Sequence, residues 1–298
     1  MEATRGPVTL QDGGRAGQAA LGLPPGGYAD PVSGRLANQL VGNAPNAPLI
    51  EVALAAPRLR LIGAGVVAWV GAEMACTLDG APLPPAESIR VGGEVLLDGS
   101  GSRAGVYGYL AVAGRWRVDR WRGSAGAARV GDGVLPRGAL VQAGRELVVE
   151  GGTGLPAGVA RAYAQPHHPG TVSSGRPPTL WLDPAPETEA WATAVTARFG
   201  LIEALARAPW RVLAASGRVG VRLGGGVRVS LPGFAGMASV PCRPGTVQLA
   251  PDGTLLVGGV DGPTMGGYPR VGHLSAGDLA ALAQRVPGRD AVRLAWPS

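Results

Sequence analysis

The chain has 298 residues, of which 46% are hydrophobic and only 5% aromatic, so we expect a core of Val, Leu and Ala in one large or two medium domains. The formal net charge is +6, and every basic residue is arginine. These arginines are scattered singly, without a basic run or a known nucleic-acid-binding module, which argues against nucleic-acid binding. The 50 glycines and 27 prolines favour many short strands joined by turns.

A short helix is predicted near the N-terminus, after one strand around residues 7–10. Asp30 can accept from free helical N–H groups, and Pro31 suits the first helical position. Apolar residues then recur on one face, and Gly42 offers a stop. The pattern predicts a helix over residues 32–42 that packs by one side.

The region from residue 49 to residue 150 is predicted to consist of strands. Apolar runs recur about every eight to twelve residues with Gly, Pro and Asp between them, which favours a sandwich or barrel over alternating β/α units. The segments 66–72, 76–80, 88–99, 105–114 and 138–144 each resemble a separate strand.

Residues 151–180 are polar and rich in helix and strand breakers, so they form a candidate linker or crossover. A helix is predicted from about residue 186 to residue 202, and strands follow. Ser275, with Asp278 three residues later, predicts the start of one last helix. The C-terminal residues 291–297 read as a strand.

The N-terminus has no apolar core typical of a signal peptide, and no run of about 18 apolar residues predicts a membrane span. We therefore expect a cytoplasmic protein. Cys76 and Cys242 permit one disulfide, although two reduced, buried thiols fit a cytosolic protein better.

Most catalytic motifs are missing from the sequence. No G-x-S-x-G turn occurs, and a Ser-His-Asp arrangement would need His167, His168 or His273. No spacing of Cys or His predicts a metal site. A P-loop cannot exist without lysine, and Gly224–Gly226 is predicted to be a hairpin turn. Four glycine-rich turns remain, at residues 11–18, 24–30, 216–225 and 261–270; each one alone is best interpreted as a strand corner.

Together, these turns carry a resemblance. The blocks GPVTLQDGGRAGQ, LPPGGYADPVSGRLANQLVGN, GYLAVAG, PGTVQLAPDG and DGPTMGGYP occur in this order. The chain resembles the biotin-dependent carboxyltransferase-like family, which includes allophanate hydrolase subunit 2, the carboxyltransferase region of urea carboxylase, and the C subunit of 5-oxoprolinase, also described as the antagonist of a sporulation-kinase inhibitor. The resemblance implies a mainly β (α+β) fold with a few short helices and two cyclophilin-like β-barrel domains, over residues 1–165 and 166–298.

The resemblance also implies partners and chemistry. Family members form a composite site with a B-like (allophanate hydrolase subunit 1-like) protein, together with an A-like protein of the same complex. The function implied is ATP-dependent opening of 5-oxo-L-proline to L-glutamate, with ATP on this chain or on a partner. Two alternatives stay open: a non-catalytic regulatory binding subunit, and a carboxyltransferase subunit that uses biotin on a separate carrier.

The family's motifs map onto this sequence position by position. By resemblance, the catalytic residues are Asp261 and Arg218, and no metal is expected. The residues implied in substrate binding are Arg222, Thr264, Gly266, Gly267, Tyr268, Gly26, Gly27 and Asp30. Other positions matching the motifs are Gln11, Asp12, Gly14, Arg15, Asn38, Asn43 and Glu51, and Gly123–Gly126 is a shortened form of a further family turn. The chain departs from the family at Ala20, Gly26, Gly262, Pro263 and Met265, mostly by losing polar side chains.

Overall fold

The computed structural model describes residues 6–63, 65–151, 177–185, 203, 205–225 and 238–296. The chain divides into two compact units, Met1–Ala16 with Gly26–Thr171 (unit 1) and Gly17–Pro25 with Val172–Ser298 (unit 2). The domain boundary predicted between residues 165 and 166 lies outside the described residues and stays a prediction.

Unit 1 contains eleven described strands and one described helix. The helix is α1 (Pro31–Leu40). The strands are β1 (Val8–Gln11), β2 (Leu49–Ala53), β3 (Leu59–Ile62), β4 (Gly65–Leu78), β5 (Ala81–Pro82), β6 (Ser88–Val91), β7 (Glu94–Val112), β8 (Arg115–Arg117), β9 (Ala128–Val130), β10 (Gly133–Leu135) and β11 (Val148–Glu150).

The main sheet of unit 1 has seven strands in the order β1-β2-β7-β4-β5, with β3 paired to β7 and β6 paired to β4. All these pairings are antiparallel. Two-stranded sheets, β10-β9 and β11-β8, complete the described part of the unit. The pairings described in unit 1 do not close into a barrel.

The predicted strand segments of unit 1 were too short. Residues 66–72 and 76–78 belong to the single strand β4, and residues 94–99 and 105–112 belong to the single strand β7. Gly101, which lay in the predicted break between residues 99 and 105, is inside β7. A Cβ on Gly108 would overlap the Trp69 ring, so this glycine makes room for a buried indole. Gly71, at a φ of +107°, lies where the β4–β7 register shifts.

Two further corrections concern unit 1. The segment 88–99 is not one strand, because β6 ends at Val91 and β7 begins at Glu94. The predicted strand at 138–144 contributes only an isolated bridge between Leu140 and Thr9.

Helix α1 begins as predicted. The Asp30 side chain accepts from the N–H groups of Val32 (3.1 Å) and Ser33 (3.2 Å), and Pro31 is the first helical residue. The helix packs on β4 and β7 by its buried face, which includes Ala37 and Leu40. The N-cap prediction is confirmed.

Unit 2 contains a closed barrel with the strand order β12-β19-β16-β17-β14-β13-β20. A parallel pairing of β20 with β12 closes it. The strands of this unit are β12 (Thr179–Asp183), β13 (Trp210–Val212), β14 (Gly220–Gly224), β15 (Val240–Pro241), β16 (Thr246–Leu249), β17 (Leu255–Gly258), β18 (Met265–Gly266), β19 (Arg270–Leu274) and β20 (Ala291–Ala295). A 3-10 turn covers Ala19–Leu21, and helix α2 covers Ala276–Ala283.

The mainly β fold with a few short helices is confirmed. Of the two barrels implied by the resemblance, only the one in unit 2 is closed in the described residues. The barrel interior is filled by aliphatic side chains and Trp210, whose indole N–H donates to the Leu205 carbonyl at 2.8 Å. The Ser275 cap of α2 is also confirmed, since its hydroxyl accepts from the Asp278 N–H at 3.1 Å.

Several predicted features fall outside the described residues. They are the linker over most of 151–180, the helix from about 186 to 202, His167 and His168, and the far end of the Gly224–Gly226 hairpin. Across the described ranges, no helix is long and apolar enough to cross a membrane.

Both cysteines are free thiols; Cys76 is buried on β4, and Cys242 is half-buried. Burial raises the pKa of Cys76 from its ordinary 9.0 to about 12, and the nearby Asp98 charge adds to the effect. Because the folded state holds this proton more tightly, its contribution to stability is complete below pH 9 and is lost as the pH rises towards 12.

We therefore expect wild-type protein to lose about 1–2 kcal/mol more unfolding free energy between pH 8 and pH 10.5 than Cys76→Ala loses. Urea unfolding of both proteins at the two pH values measures this difference. The absence of lysine keeps the background titration low in this range. Equal losses in the two proteins would contradict the assigned cause.

Candidate functional site

The two residues predicted to be catalytic lie together in unit 2. Arg218 lies just before β14, and Asp261 lies just after β17; the two strands pair with Gly220 opposite Gly258. Arg218 Nε lies 2.7 Å from Asp261 Oδ2, and Nη2 lies 3.0 Å from Oδ1. The Asp261 N–H also donates to the Arg218 carbonyl at 3.1 Å. The result is a bidentate ion pair that ties two turns together.

This pair is largely shielded from water, with side chains 17% and 18% exposed. Both carboxylate oxygens accept from the same guanidinium, so this arrangement does not present Asp261 as a general base to a ligand. Arg–carboxylate forks of this kind hold geometry well. The arrangement therefore favours a positioning role, and the catalytic assignment of both residues stays a prediction.

Glycines allow the two turns to approach this closely. A Cβ on Gly259 would overlap the Arg218 carbonyl oxygen, and one on Gly262 would lie 2.8 Å from the Val219 carbonyl oxygen. A side chain at Gly262 would therefore force the two turns apart.

Arg222 does not take part in the pair. It lies on β14 between the buried residues Val221 and Leu223, so its exposed side chain is on the outer face of the barrel. An exposed guanidinium suits a carboxylate ligand.

The segment 264–269 forms a small ribbon beside the barrel. Strand β18 pairs with β15, and the Thr264 carbonyl accepts from the Cys242 N–H at 2.8 Å. A Cβ on Gly266 would lie 2.9 Å from Cys242 Sγ. Gln248 Nε2 donates to the Tyr268 carbonyl at 3.0 Å. These contacts hold the backbone of the segment in place.

The side chains of this segment face different ways. Gly266 lies against Gln248 and Cys242, whereas Met265 and Tyr268 are 49% and 42% exposed. Gly267 is exposed as well. The structure thus keeps Gly267 and Tyr268 accessible, and their substrate-binding role stays a prediction.

The remaining predicted site residues belong to unit 1. Gly26 and Gly27 are buried and have φ values of +64° and +84°. A Cβ on Gly27 would lie 3.0 Å from the Asp12 carbonyl oxygen and 3.0 Å from the Gly14 nitrogen. The turn is therefore packed on the backbone of residues 12–14, and a side chain at Gly27 would be strained both by space and by φ.

Asp30 and its neighbours are held by the register of the sheet. Strand pairing sets Glu51 opposite Tyr109. Glu51 Oε2 accepts from the Ala29 N–H at 2.8 Å, and the Tyr109 hydroxyl oxygen accepts from the Asp30 N–H at 2.7 Å. The Asp30 carboxylate caps α1 and also accepts from the Ser33 hydroxyl at 2.6 Å. Its visible role is structural.

Tyr28 anchors the same turn. Its hydroxyl donates to the Ala47 carbonyl and accepts from Asn38 Nδ2 at 2.9 Å. Burial first, and then the Asp12 charge, raise the pKa of Tyr28 above its ordinary value, so the hydroxyl remains a donor.

The sequence did not predict that three polar residues of unit 1 form a buried cluster. We call Asp12, Arg15 and Ser124 the unit 1 polar cluster; they are 3%, 3% and 0% exposed. Asp12 Oδ1 accepts from the Ser124 hydroxyl at 2.5 Å and from the Gly14 N–H at 2.9 Å. Its Oδ2 accepts from the Ala125 N–H at 2.7 Å. One carboxylate thus joins two turns that are more than a hundred residues apart.

Arg15 completes this cluster. Its Nη2 donates to the Gly126 carbonyl at 2.5 Å, and its guanidinium lies 5.3 Å from the centre of the Trp121 ring. Both turns had been noted for their resemblance to family motifs. The signal that would have found the cluster is their shared content of short polar side chains and glycine.

Comparisons with known proteins show which families and proteins this chain resembles. The chain matches the family model for the carboxyltransferase domain, subdomain A and B, over residues 21–296. It is 30% identical to the C subunit of 5-oxoprolinase from Escherichia coli over 289 residues, which cover 93% of this chain and 84% of that protein. It is 34% identical to the urea amidolyase of Saccharomyces cerevisiae over 126 residues, or 42% of this chain and 7% of that protein.

Solved structures agree with the fold. The crystal structure of the K. lactis urea amidolyase matches with a TM-score of 0.82 and 25% identity, and covers all of this chain. This chain spans 18% of that protein and 55% of another solved chain that it matches. The match of the family model over residues 21–296 shows that the chain belongs to the family of the carboxyltransferase domain, subdomain A and B.

Proposed function

We propose that this chain is the C subunit of an ATP-dependent 5-oxoprolinase, which opens 5-oxo-L-proline to L-glutamate. The observation that carries the proposal is the 30% identity to the 5-oxoprolinase C subunit of Escherichia coli, because it extends over 93% of this chain and 84% of that protein. The chain acts with two partner proteins, one B-like and one A-like, and the substrate site is composite.

The reaction breaks the lactam C–N bond. Phosphoryl transfer from ATP to the lactam carbonyl oxygen releases ADP. Water then attacks the activated carbon, and loss of phosphate with cleavage of the C–N bond gives the carboxylate and the amine of glutamate. In the described residues, the N-termini of α1 and α2 are capped by the chain's own Asp30 and Ser275. At neither helix are the capped N–H groups available to bind a phosphate. We therefore assign ATP to a partner protein and derive no step through it on this chain.

On this chain, the proposed roles follow the geometry of unit 2. Arg218 and Asp261 hold the two turns in position. Arg222, exposed on the outer face of the barrel, binds the substrate carboxylate. Thr264 and the backbone of Gly266 and Gly267 shape the pocket wall.

Removing either member of the ion pair is expected to lower kcat of the assembled enzyme by about tenfold or more. Without the pair, the two turns no longer hold the substrate-binding residues in the orientation that the reaction needs. The variants are Arg218→Gln and Asp261→Asn. Because the two side chains act as one unit, the double variant should be little worse than either single variant. Steady-state glutamate release measures all three.

Arg222→Gln serves as the contrasting variant. It should raise KM for 5-oxoproline with a smaller change in kcat, because it removes a binding contact rather than a positioning one. Additive losses from Arg218→Gln and Asp261→Asn would contradict the positioning role.

A second candidate is carboxyl transfer, favoured by the similarity to urea amidolyases. The chain contains no lysine, so biotin would be attached to a separate carrier. A third candidate is a regulatory binding subunit without turnover, favoured by the loss of polar side chains at Gly26, Gly262, Pro263 and Met265. Glutamate release that depends on ATP, 5-oxoproline and this chain separates the first candidate from the other two.

A further inference from the structure

A small solvent-facing cleft of about 60 Å³ lies in unit 1, and none of the residues assigned above to the reaction lines it. Its floor includes Leu10 and Ala139, which are buried and joined by a 2.8 Å hydrogen bond from the Leu10 N–H to the Ala139 carbonyl. Its charged lining consists of Arg117, Arg137, Arg145 and Asp119.

Local structure determines where these guanidinium groups lie. Arg117 ends β8, and its Nε lies 2.9 Å from Glu150 Oε1 on the paired strand β11. Gly138 has a φ of +82°, and a Cβ there would lie 3.0 Å from Arg145 Cζ. The Arg145 guanidinium therefore lies over the bare backbone of Gly138. Any side chain at this position would displace it.

Arginines outnumber carboxylates in the described lining of the cleft. Three guanidinium groups line it, against the single lining carboxylate of Asp119. Glu150, which pairs with Arg117, is shared with Arg115. An excess of positive charge in a concave site attracts anions. The planar, five-donor guanidinium matches carboxylate and phosphate oxygens in particular.

We propose that this cleft binds a small oxyanion, either a carboxylate or a phosphate group, on residues that have no assigned role in the reaction. Arg137 and Arg145 supply the main donors, and Arg117 is held at the edge by Glu150. Gly138 keeps Arg145 in place. The cleft is confined to unit 1, so binding belongs to this chain and needs no partner protein.

Isothermal titration calorimetry on the full chain tests the site, with inorganic phosphate and L-glutamate as separate probes at constant ionic strength. We expect saturable one-to-one binding of at least one probe. The double variant Arg137→Gln/Arg145→Gln should weaken that binding about tenfold or more, because it removes two charge-assisted contacts. Gly138→Ala should weaken it too while leaving every charge in place.

Arg90→Gln is the matched control. Arg90 is an exposed arginine on β6 of the same unit and does not line the cleft, so binding should be unchanged. No saturable binding of either probe would overturn the proposal. So would equal affinity in the double variant, or an equal loss in Arg90→Gln. Because the assay needs neither partners nor turnover, its outcome is independent of the proposed enzymatic function.

Discussion

Asp12→Ala is expected to lower the free energy of unfolding by about 3–5 kcal/mol, the range found when one partner of a buried charged network is removed. The carboxylate is 3% exposed and accepts from the Ser124 hydroxyl and from two backbone N–H groups. Without it the Ser124 hydroxyl and the buried Ala125 N–H lose their acceptor, and Arg120 loses the carboxylate that lies 3.5 Å from its Nη1. Urea unfolding followed by circular dichroism measures the change.

Asp119→Ala is the control for this prediction. Asp119 lies in the same unit, is exposed, and should change stability by no more than about 0.5 kcal/mol. A loss below about 1 kcal/mol for Asp12→Ala would contradict the structural role of the unit 1 polar cluster, given the cost of unsatisfied buried donors.

Gly108→Ala is expected to destabilise the protein by about 1–3 kcal/mol or more, as overpacking in a dense core does. A Cβ at this position would lie 2.9 Å from Trp69 Cη2 and 3.2 Å from Cε2. Trp69 is only 2% exposed and belongs to the core cluster of unit 1, so the ring has little space to move. Thermal unfolding reports the effect as a lower Tm.

The same strand provides a matched substitution. Gly101 also lies on β7, but a Cβ there would meet only the Leu54 carbonyl oxygen, at 3.9 Å. Gly101→Ala should therefore be neutral or slightly stabilising, since it reduces the freedom of the unfolded chain. If both variants lowered Tm equally, the cost would come from losing glycine in a strand, and the packing explanation would be wrong.

Local signals allowed both helix starts to be predicted from the sequence. Asp30 and Ser275 accept from N–H groups two or three residues away, so all the residues that form each cap lie within one short segment of the sequence. The division of unit 1 into strands failed for the opposite reason. The break predicted between residues 99 and 105 does not exist, because Gly101 lies inside β7, and the pairing of this stretch with β4 is remote in sequence.

The candidate site shows the same contrast. Resemblance identified Arg218 and Asp261 one at a time, but their bidentate pairing depends on the register of β14 and β17. In the unit 1 polar cluster, Asp12 and Ser124 are hydrogen-bonded although they lie 112 residues apart in the sequence. The resemblance pointed to both turns, but only the fold shows that one carboxylate accepts hydrogen bonds from both of them.

The most direct test of the central claim is glutamate release from 5-oxoproline and ATP by the co-encoded proteins, measured with and without this chain. The proposed function predicts release only when this chain is present, and loss of most of that release with Arg218→Gln. If the proteins formed a stable complex that released no glutamate, or released it equally well without this chain, the claim that the chain is a working part of a 5-oxoprolinase would be contradicted.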